Sequence, residues 1–323
     1  MDYTTLGSTG LRVSRLCMGT MTFGREADAR TSEAMFHRCR EAGINFFDCA
    51  NVYAKGDSER ILGRLIAPCR DELVITSKVG MNMDDSPTGS GLSPEAITAQ
   101  LDDTLQRLGV DCLDVYFAHR FDEQTPLEET LRAFDKAVKA GKVRKLGASN
   151  FAAWQLAKAR GLSAAEGLAM FEVMQPMYSL IKRQAEVELL PLAEWENMGV
   201  IPYSPLGGGV LTGKYTQGRR PDDVRLTRQE NYAKRYGEKS YFQIADAFVQ
   251  HAKAGGLHPA TLAVAWVLNH PAVTAPIIGA RNLDQLEPSL AAAEVDMSDA
   301  WRQDISAMSY EPPPATDRLE EKR

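Results

Sequence analysis

Short apolar runs recur along the chain, and most of them finish in a polar or ionisable group. Eight of these runs read as strands: Leu16–Thr20, Asn45–Cys49, Leu73–Val79, Leu113–Ala118, Lys145–Ala148, Phe171–Gln175, Val200–Ser204 and Ala275–Gly279. Unbroken apolar strands are buried on both faces, as in a parallel sheet. Stretches with helical periodicity lie between them. Ser93-Pro94 opens one, with Ile97, Leu101, Leu105 and Leu108 along one face. Thr125-Pro126-Leu127-Glu128 reads as a capping box, followed by Leu127, Leu131, Phe134 and Val138. Leu189, Leu192 and Trp195 repeat at helical spacing before Gly199. Gly43, Gly109, Gly141 and Gly199 each stand just ahead of an apolar run, where a helix ends on a left-handed residue.

Eight strands alternating with helices over 323 residues predict an α/β fold, a (β/α)8 TIM barrel spanning residues 1–323 as one domain. A doubly wound sheet is the alternative. It calls for a Gly-x-Gly-x-x-Gly turn after its first strand, and this chain has Gly19-Thr20-Met21-Thr22 there. Tyr3–Leu6 and Leu11–Val13 flank Gly7-Ser8-Thr9-Gly10 and predict an N-terminal β-hairpin plugging the barrel floor. The βα loops are long, above all the insertion Gly213–Thr261, which predicts a helix around Tyr241–His251. Glu311–Arg323 reads as a surface tail.

Composition narrows the function classes. A net charge of −6 argues against a broad nucleic-acid surface or an acidic membrane partner. No apolar run is long enough for a transmembrane helix, and no secretory signal is visible, so a cytoplasmic location is expected. The five Cys fall within the first 112 residues without a Cys-x-x-Cys pair and read as buried free thiols.

The strand ends carry the candidate chemistry. In a parallel barrel, reactive groups sit at the C-terminal ends of the strands. Asp48, Tyr53, Lys78 and His119 all lie at or just past such ends. An ammonium beside a phenol lowers the phenol's pKa, and a buried ammonium needs a counter-charge. Asp48, Lys78 and Tyr53 therefore read as a relay delivering a proton from Tyr53, with His119 placed to bond a carbonyl oxygen. Each residue has a plainer reading: a helix cap for Asp48, a solvated Lys78, a core His119. Their sharing one barrel face favours the relay, and with it carbonyl reduction.

A second cluster lies after the last two strands, where barrels often hold phosphate. Ser204-Pro205-Leu206-Gly207-Gly208-Gly209 and Lys214 offer close backbone approach and a cation. Gly279, Arg281, Asn282 and Gln285 precede or open a helix, whose N-terminus favours an anion. Ser149-Asn150 and Gln175 supply donors and acceptors for a carboxamide, and Tyr203 supplies a ring for stacking. These features predict a phosphorylated redox cofactor.

Several segments together resemble the aldo-keto reductases along nearly the whole chain. They are Met18-Gly19-Thr20-Met21, Phe47-Asp48-Cys49-Ala50-Asn51-Val52-Tyr53, Ser58-Glu59-Arg60-Ile61-Leu62-Gly63, Thr76-Ser77-Lys78 and His119-Arg120-Phe121-Asp122. Gly147-Ala148-Ser149-Asn150, Tyr203-Ser204-Pro205-Leu206 and Ile278-Gly279-Ala280-Arg281 with Gln285 complete the set. The likeness is to the bacterial predicted-oxidoreductase branch, related to potassium-channel β subunits. It implies NADPH as cofactor and a small-molecule carbonyl substrate. It implies Tyr53 as proton donor, Lys78 and Asp48 tuning it, and His119 positioning the carbonyl. Gly19, Thr20, Met21, Ser149, Asn150, Gln175, Tyr203, Ser204, Pro205, Leu206, Gly208, Lys214, Gly279, Arg281, Gln285 and Ser289 are the implied cofactor contacts. Three positions depart from the family pattern: Ala54 replaces its usual Gly, Ala118 its usual Leu, and Ser289 its usual Asn. The expected function is NADPH-dependent reduction of aldehydes and ketones. The alternatives are a cofactor-binding, redox-sensing regulatory subunit and an aldolase-type barrel forming a Schiff base on Lys78.

Overall fold

The computed structural model describes residues 1–219, 226 and 230–316. Two strands, β1 (Tyr3–Thr5) and β2 (Arg12–Ser14), form an antiparallel hairpin. Eight further strands run parallel: β3 (Cys17–Gly19), β4 (Phe46–Asp48), β5 (Val74–Val79), β6 (Leu113–Ala118), β7 (Val143–Ser149), β8 (Phe171–Gln175), β9 (Gly199–Val200) and β10 (Ile277–Ile278). They pair in the order β10-β3-β4-β5-β6-β7-β8-β9. The two end strands are joined by the Thr274 amide donating to the Val200 carbonyl and the Ile277 amide to the Pro202 carbonyl, both at 2.9 Å. The result is the (β/α)8 barrel that the alternation of apolar runs predicts.

Side chains alternate in and out along each strand. The inward set forms its own apolar cluster: Cys17, Phe46, Val74, Val115, Phe117, Val173, Ile201, Ala275 and Ile277. Close packing of that set dictates two glycines. A Cβ on Gly147 would fall 2.3 Å from the Phe117 ring, and one on Gly19 would fall 2.6 Å from Ile277. Leu6 and Val13 from the hairpin belong to the same cluster and close the floor. The Ser8 amide donates to the Asn197 carbonyl at 2.9 Å, tying the hairpin to the chain just before β9.

The outward side chains pack beneath the helices. These are α1 (Ala29–Glu41), α2 (Asp57–Ile66), α3 (Pro94–Leu108), α4 (Leu127–Lys139), α5 (Ala153–Glu166), α6 (Leu189–Trp195), α7 (Glu230–Tyr236), α8 (Lys239–Ala254), α9 (Pro259–Leu268), α10 (Leu283–Leu290) and α11 (Asp299–Ser306). In α3 the Ser93 hydroxyl accepts the Ala96 amide, and Ile97, Leu101, Leu105 and Leu108 are all buried. The predicted helix at 241–251 lies within α8.

Four local expectations are corrected. Thr125 caps nothing: its hydroxyl donates to the Asp122 carboxylate at 2.8 Å, and α4 starts after Pro126 without a side-chain cap. In α6 the buried face is Leu190 and Ala193, while Trp195 is 88% exposed. Gly199 is not a helix terminator. Asn197 takes the left-handed conformation (φ 49°), and Gly199 lacks a side chain because Leu6 occupies that space. All five thiols are free, but only Cys17, Cys39 and Cys49 are buried; Cys69 and Cys112 are half-buried. β9 and β10 are also shorter than their apolar runs, since Pro202 and Pro276 interrupt the ladder. Parts of the expected insertion (220–225 and 227–229) and of the expected tail (317–323) lie outside the described residues. No described helix is long and apolar enough to cross a membrane.

Candidate active site

Above the apolar floor the inward positions turn polar. Asp48 ends β4, and Thr76 and Lys78, two residues apart on β5, share its face. The Lys78 ammonium donates to Asp48 Oδ2 at 2.6 Å and to the Cys49 carbonyl at 2.7 Å, and lies 3.3 Å from the Tyr53 hydroxyl. Asp48 Oδ1 accepts the Thr76 hydroxyl at 2.8 Å and the Gln175 amide at 2.9 Å. Lys78 and Thr76 are sealed from solvent, and Asp48 nearly so.

Tyr53 stands in a short turn, Tyr53–Gly56, between β4 and α2. Two consecutive residues there, Ala54 (φ 49°) and Lys55 (φ 52°), adopt left-handed backbone. This strained turn folds the phenol back over Lys78, whose nitrogen lies 5.0 Å from the ring centroid. His119, one residue past β6, meets the Tyr53 ring edge to face at 6.0 Å. Its buried Nδ1 has no hydrogen-bond partner among the described residues.

The charge states follow from these contacts. Burial is the largest influence and would lower the Lys78 ammonium, but Asp48, Tyr53 and Cys49 together outweigh it, and the net direction is upward. Burial pushes the Tyr53 phenol up to about 12, and Lys78 pulls only partly against it. This corrects the expectation of a lowered phenol: loss of solvent outweighs the Lys78 cation, and the Asp48 carboxylate adds a smaller push in the same direction as burial. Burial first, then the Lys78 and Arg120 cations, hold His119 well below its usual range, so the imidazole is neutral at pH 7.

The expected carboxamide group joins the same network. The Ser149 hydroxyl donates to the Gln175 carbonyl at 2.9 Å. Asn150, held at φ 57°, donates to the His119 carbonyl at 2.9 Å and accepts the Tyr203 hydroxyl at 2.7 Å. Gln175 therefore faces Asp48, and Tyr203 faces Asn150. Gly19 and Met21 flank Thr20, whose hydroxyl donates to the Asp48 carbonyl at 3.1 Å and accepts from Ser58.

The glycine loop forms a second shelf. Ser204 (φ 60°) and Gly207, Gly208 and Gly209 (φ 55°, 64° and 92°) are all left-handed, around a buried Pro205 and a half-buried Leu206. A Cβ on Gly209 would lie 2.6 Å from Lys214 Nζ, and one on Gly208 would lie 2.7 Å from the Tyr236 ring of α7. Gly279 is exposed beside β10. The Asn282 side chain caps α10 by accepting the Gln285 amide at 3.0 Å, and Gln285 Oε1 accepts the Arg281 amide at 3.3 Å. Ser289 is buried, and its hydroxyl has no hydrogen-bond partner among the described residues. Tyr236 escaped the sequence reading, and Thr76 entered it only within the segment Thr76-Ser77-Lys78, without a role at the site. Thr76 was detectable from its two-residue spacing to Lys78; nothing in the sequence points Tyr236 at Gly208.

The sequence matches the aldo/keto reductase family over residues 15–309. The chain belongs to that family. Among similar proteins is the "Uncharacterized oxidoreductase YrpG" of Bacillus subtilis, 38% identical over 92% of each chain. The "Probable voltage-gated potassium channel subunit beta" of Oryza sativa is 36% identical, over 91% of this chain and 92% of its own. The L-glyceraldehyde 3-phosphate reductase of Escherichia coli K12 is 33% identical, over 90% of this chain and 87% of its own. Oxidoreductase-named relatives and the family match make an oxidoreductase acting on a small molecule, with a nicotinamide cofactor as the family's general reagent.

Proposed function

We propose that this aldo/keto reductase is an NADPH-dependent reductase of aldehydes and ketones, with Tyr53 as general acid. The observation that carries the reading is the Tyr53 hydroxyl held 3.3 Å from an ammonium that is itself clamped by Asp48, beside a neutral His119.

The shelf around the site fits the cofactor. Left-handed glycines bring backbone within reach of a pyrophosphate, and Lys214 lies over Gly209. Ser204, Pro205, Leu206, Gly208 and Lys214 would line that part. Arg281, Gln285, Gly279 and Ser289 would take the adenosine end, with the Arg281 fork suited to a 2′-phosphate. Ser149, Asn150 and Gln175 would hold the carboxamide, Tyr203 the ring, and Gly19, Thr20 and Met21 the first strand's edge. Such a cofactor supplies a hydride.

The protein's own residues then act on the carbonyl oxygen. Neutral His119 can donate a hydrogen bond to it and hold it beside Tyr53. As the carbon gains a hydride, its oxygen becomes a far stronger base than a phenolate, so even a Tyr53 raised to about 12 gives up its proton downhill. Lys78 stabilises the phenolate left behind. The upward direction of Lys78 argues against Schiff-base chemistry, which needs an unprotonated amine. The cytoplasm is the proposed location; the expectation that the Gly213–Thr261 insertion forms part of a substrate or cofactor gate falls partly on 220–225 and 227–229, outside the described residues. The channel-subunit relatives favour a second reading, a redox-sensing regulatory subunit, marked by tight NADPH binding with negligible turnover.

The test is NADPH consumption with a carbonyl panel that includes small phosphorylated aldehydes, in the wild type and in Tyr53→Phe. Loss of about 10²–10⁴ in turnover with intact NADPH binding is expected. Full turnover by Tyr53→Phe would remove the general-acid assignment.

A further inference from the structure

We propose that Thr76 is a positioning residue for proton delivery, acting on Tyr53 through Asp48. The inference rests on the carbonyl-reductase reading above and concerns a residue that touches neither substrate nor cofactor in it.

The two oxygens of Asp48 are used unequally. Oδ2 takes the Lys78 ammonium at 2.6 Å; Oδ1 takes two neutral donors, the Thr76 hydroxyl at 2.8 Å and the Gln175 amide at 2.9 Å. Asp48 and Thr76 are paired residues on β4 and β5, so the hydroxyl reaches the carboxylate across one ladder rung. Thr76 is fully buried, and no solvent replaces its bond.

Neutral donors on one oxygen do two things. They fix the carboxylate plane, which aims Oδ2 at Lys78. They also draw carboxylate charge toward Oδ1 without adding a positive charge of their own, which weakens Asp48's hold on Lys78. More of the ammonium's field then reaches Tyr53. The Lys78 side chain has no slack to compensate, because the Cys49 carbonyl fixes it at 2.7 Å. Without the Thr76 hydroxyl, Oδ1 keeps one donor, the carboxylate can turn, and its charge concentrates on Lys78. Tyr53 then becomes a weaker acid.

Thr76→Val keeps the shape and removes the hydroxyl, and Thr76→Ser keeps the hydroxyl. The expected result for Thr76→Val is a fall in kcat for carbonyl reduction of roughly tenfold, the scale of one hydrogen bond to a charged group. The alkaline limb of kcat moves to higher pH, while NADPH affinity stays within about twofold, roughly 0.4 kcal/mol. Thr76→Ser restores both kcat and the limb. Ultraviolet titration of the phenolate, taken as the difference from Tyr53→Phe in each background, gives the same displacement without turnover. A merely structural Thr76 would lower the melting temperature of Thr76→Val and leave the limb and the phenolate titration in place, which overturns the proposal. Thr76→Ser behaving like Thr76→Val overturns it too. Should Thr76→Val not fold, Thr76→Ala is read by the same titration. Full turnover by Tyr53→Phe sinks the carbonyl-reductase reading itself; an inactive Tyr53→Phe beside an unaltered Thr76→Val sinks only the role of Thr76.

Discussion

The Lys78 ammonium meets the Asp48 carboxylate at 2.6 Å in the barrel interior, where solvent reaches almost none of either group. A pair so placed is stabilising only while both partners stay, because removing one strands the other's charge. Asp48→Asn should cost about 3–5 kcal/mol by urea unfolding. The double variant Asp48→Asn with Lys78→Met should recover much of that loss while remaining inactive. Equal stability of the single and double variants would mean that the pair is not a buried ion pair in solution.

Arg281 carries the expectation about cofactor choice. Arg281→Ala should weaken NADPH at least tenfold more than NADH, about 1.4 kcal/mol of discrimination. Fluorescence titration with both nucleotides measures this directly. Parallel losses for the two would show that the guanidinium does not read the 2′-phosphate.

The turn that bears Tyr53 stores strain at Ala54. Left-handed backbone costs a residue with a Cβ roughly 1–2 kcal/mol, and glycine pays about 0.5–1 kcal/mol in unfolded-state entropy. Ala54→Gly should therefore raise stability by up to about 1 kcal/mol, visible in the denaturation midpoint. A destabilised Ala54→Gly would indicate that the Ala54 methyl, which stands 3.5 Å from where a Cβ on Gly24 would lie, packs usefully in the turn.

Two glycines should respond with opposite signs. Gly147 faces the Phe117 ring, and Gly147→Ala should cost about 1–3 kcal/mol by overpacking. Gly161 lies exposed within α5 with open space at its Cβ position. Gly161→Ala should gain about 0.5–1 kcal/mol. Matched unfolding curves for the two variants check both signs at once.

Much of this architecture was legible one strand at a time. Apolar runs such as Leu113–Ala118 and Phe171–Gln175 coincide with strands, because burial on both faces favours apolar residues; the interior carboxylates, Asp114 and Glu172, are held by ion pairs to Arg70 and Lys145. Gly43, Gly109 and Gly141 are left-handed where the helix ends demand it. Gly199 misled for the opposite reason: the hairpin residue Leu6, distant in sequence, excludes its side chain, and Asn197 supplies the turn instead. Trp195 has the spacing of a core residue but faces out, since periodicity defines a stripe and not which side of the helix meets the sheet.

The order of apolar and polar positions determined the alternation of strands and helices, and with it the ring of Asp48, Lys78 and His119 at strand exits. Those are local properties, set by backbone sterics and by the cost of burying unpaired polar groups. Which oxygen of Asp48 meets which donor, the upward direction of the Tyr53 phenol, and the turn of Gln175 toward Asp48 were decided only when distant segments closed the barrel. Field strength and desolvation depend on distances between groups far apart in sequence, and those distances exist only in the folded chain.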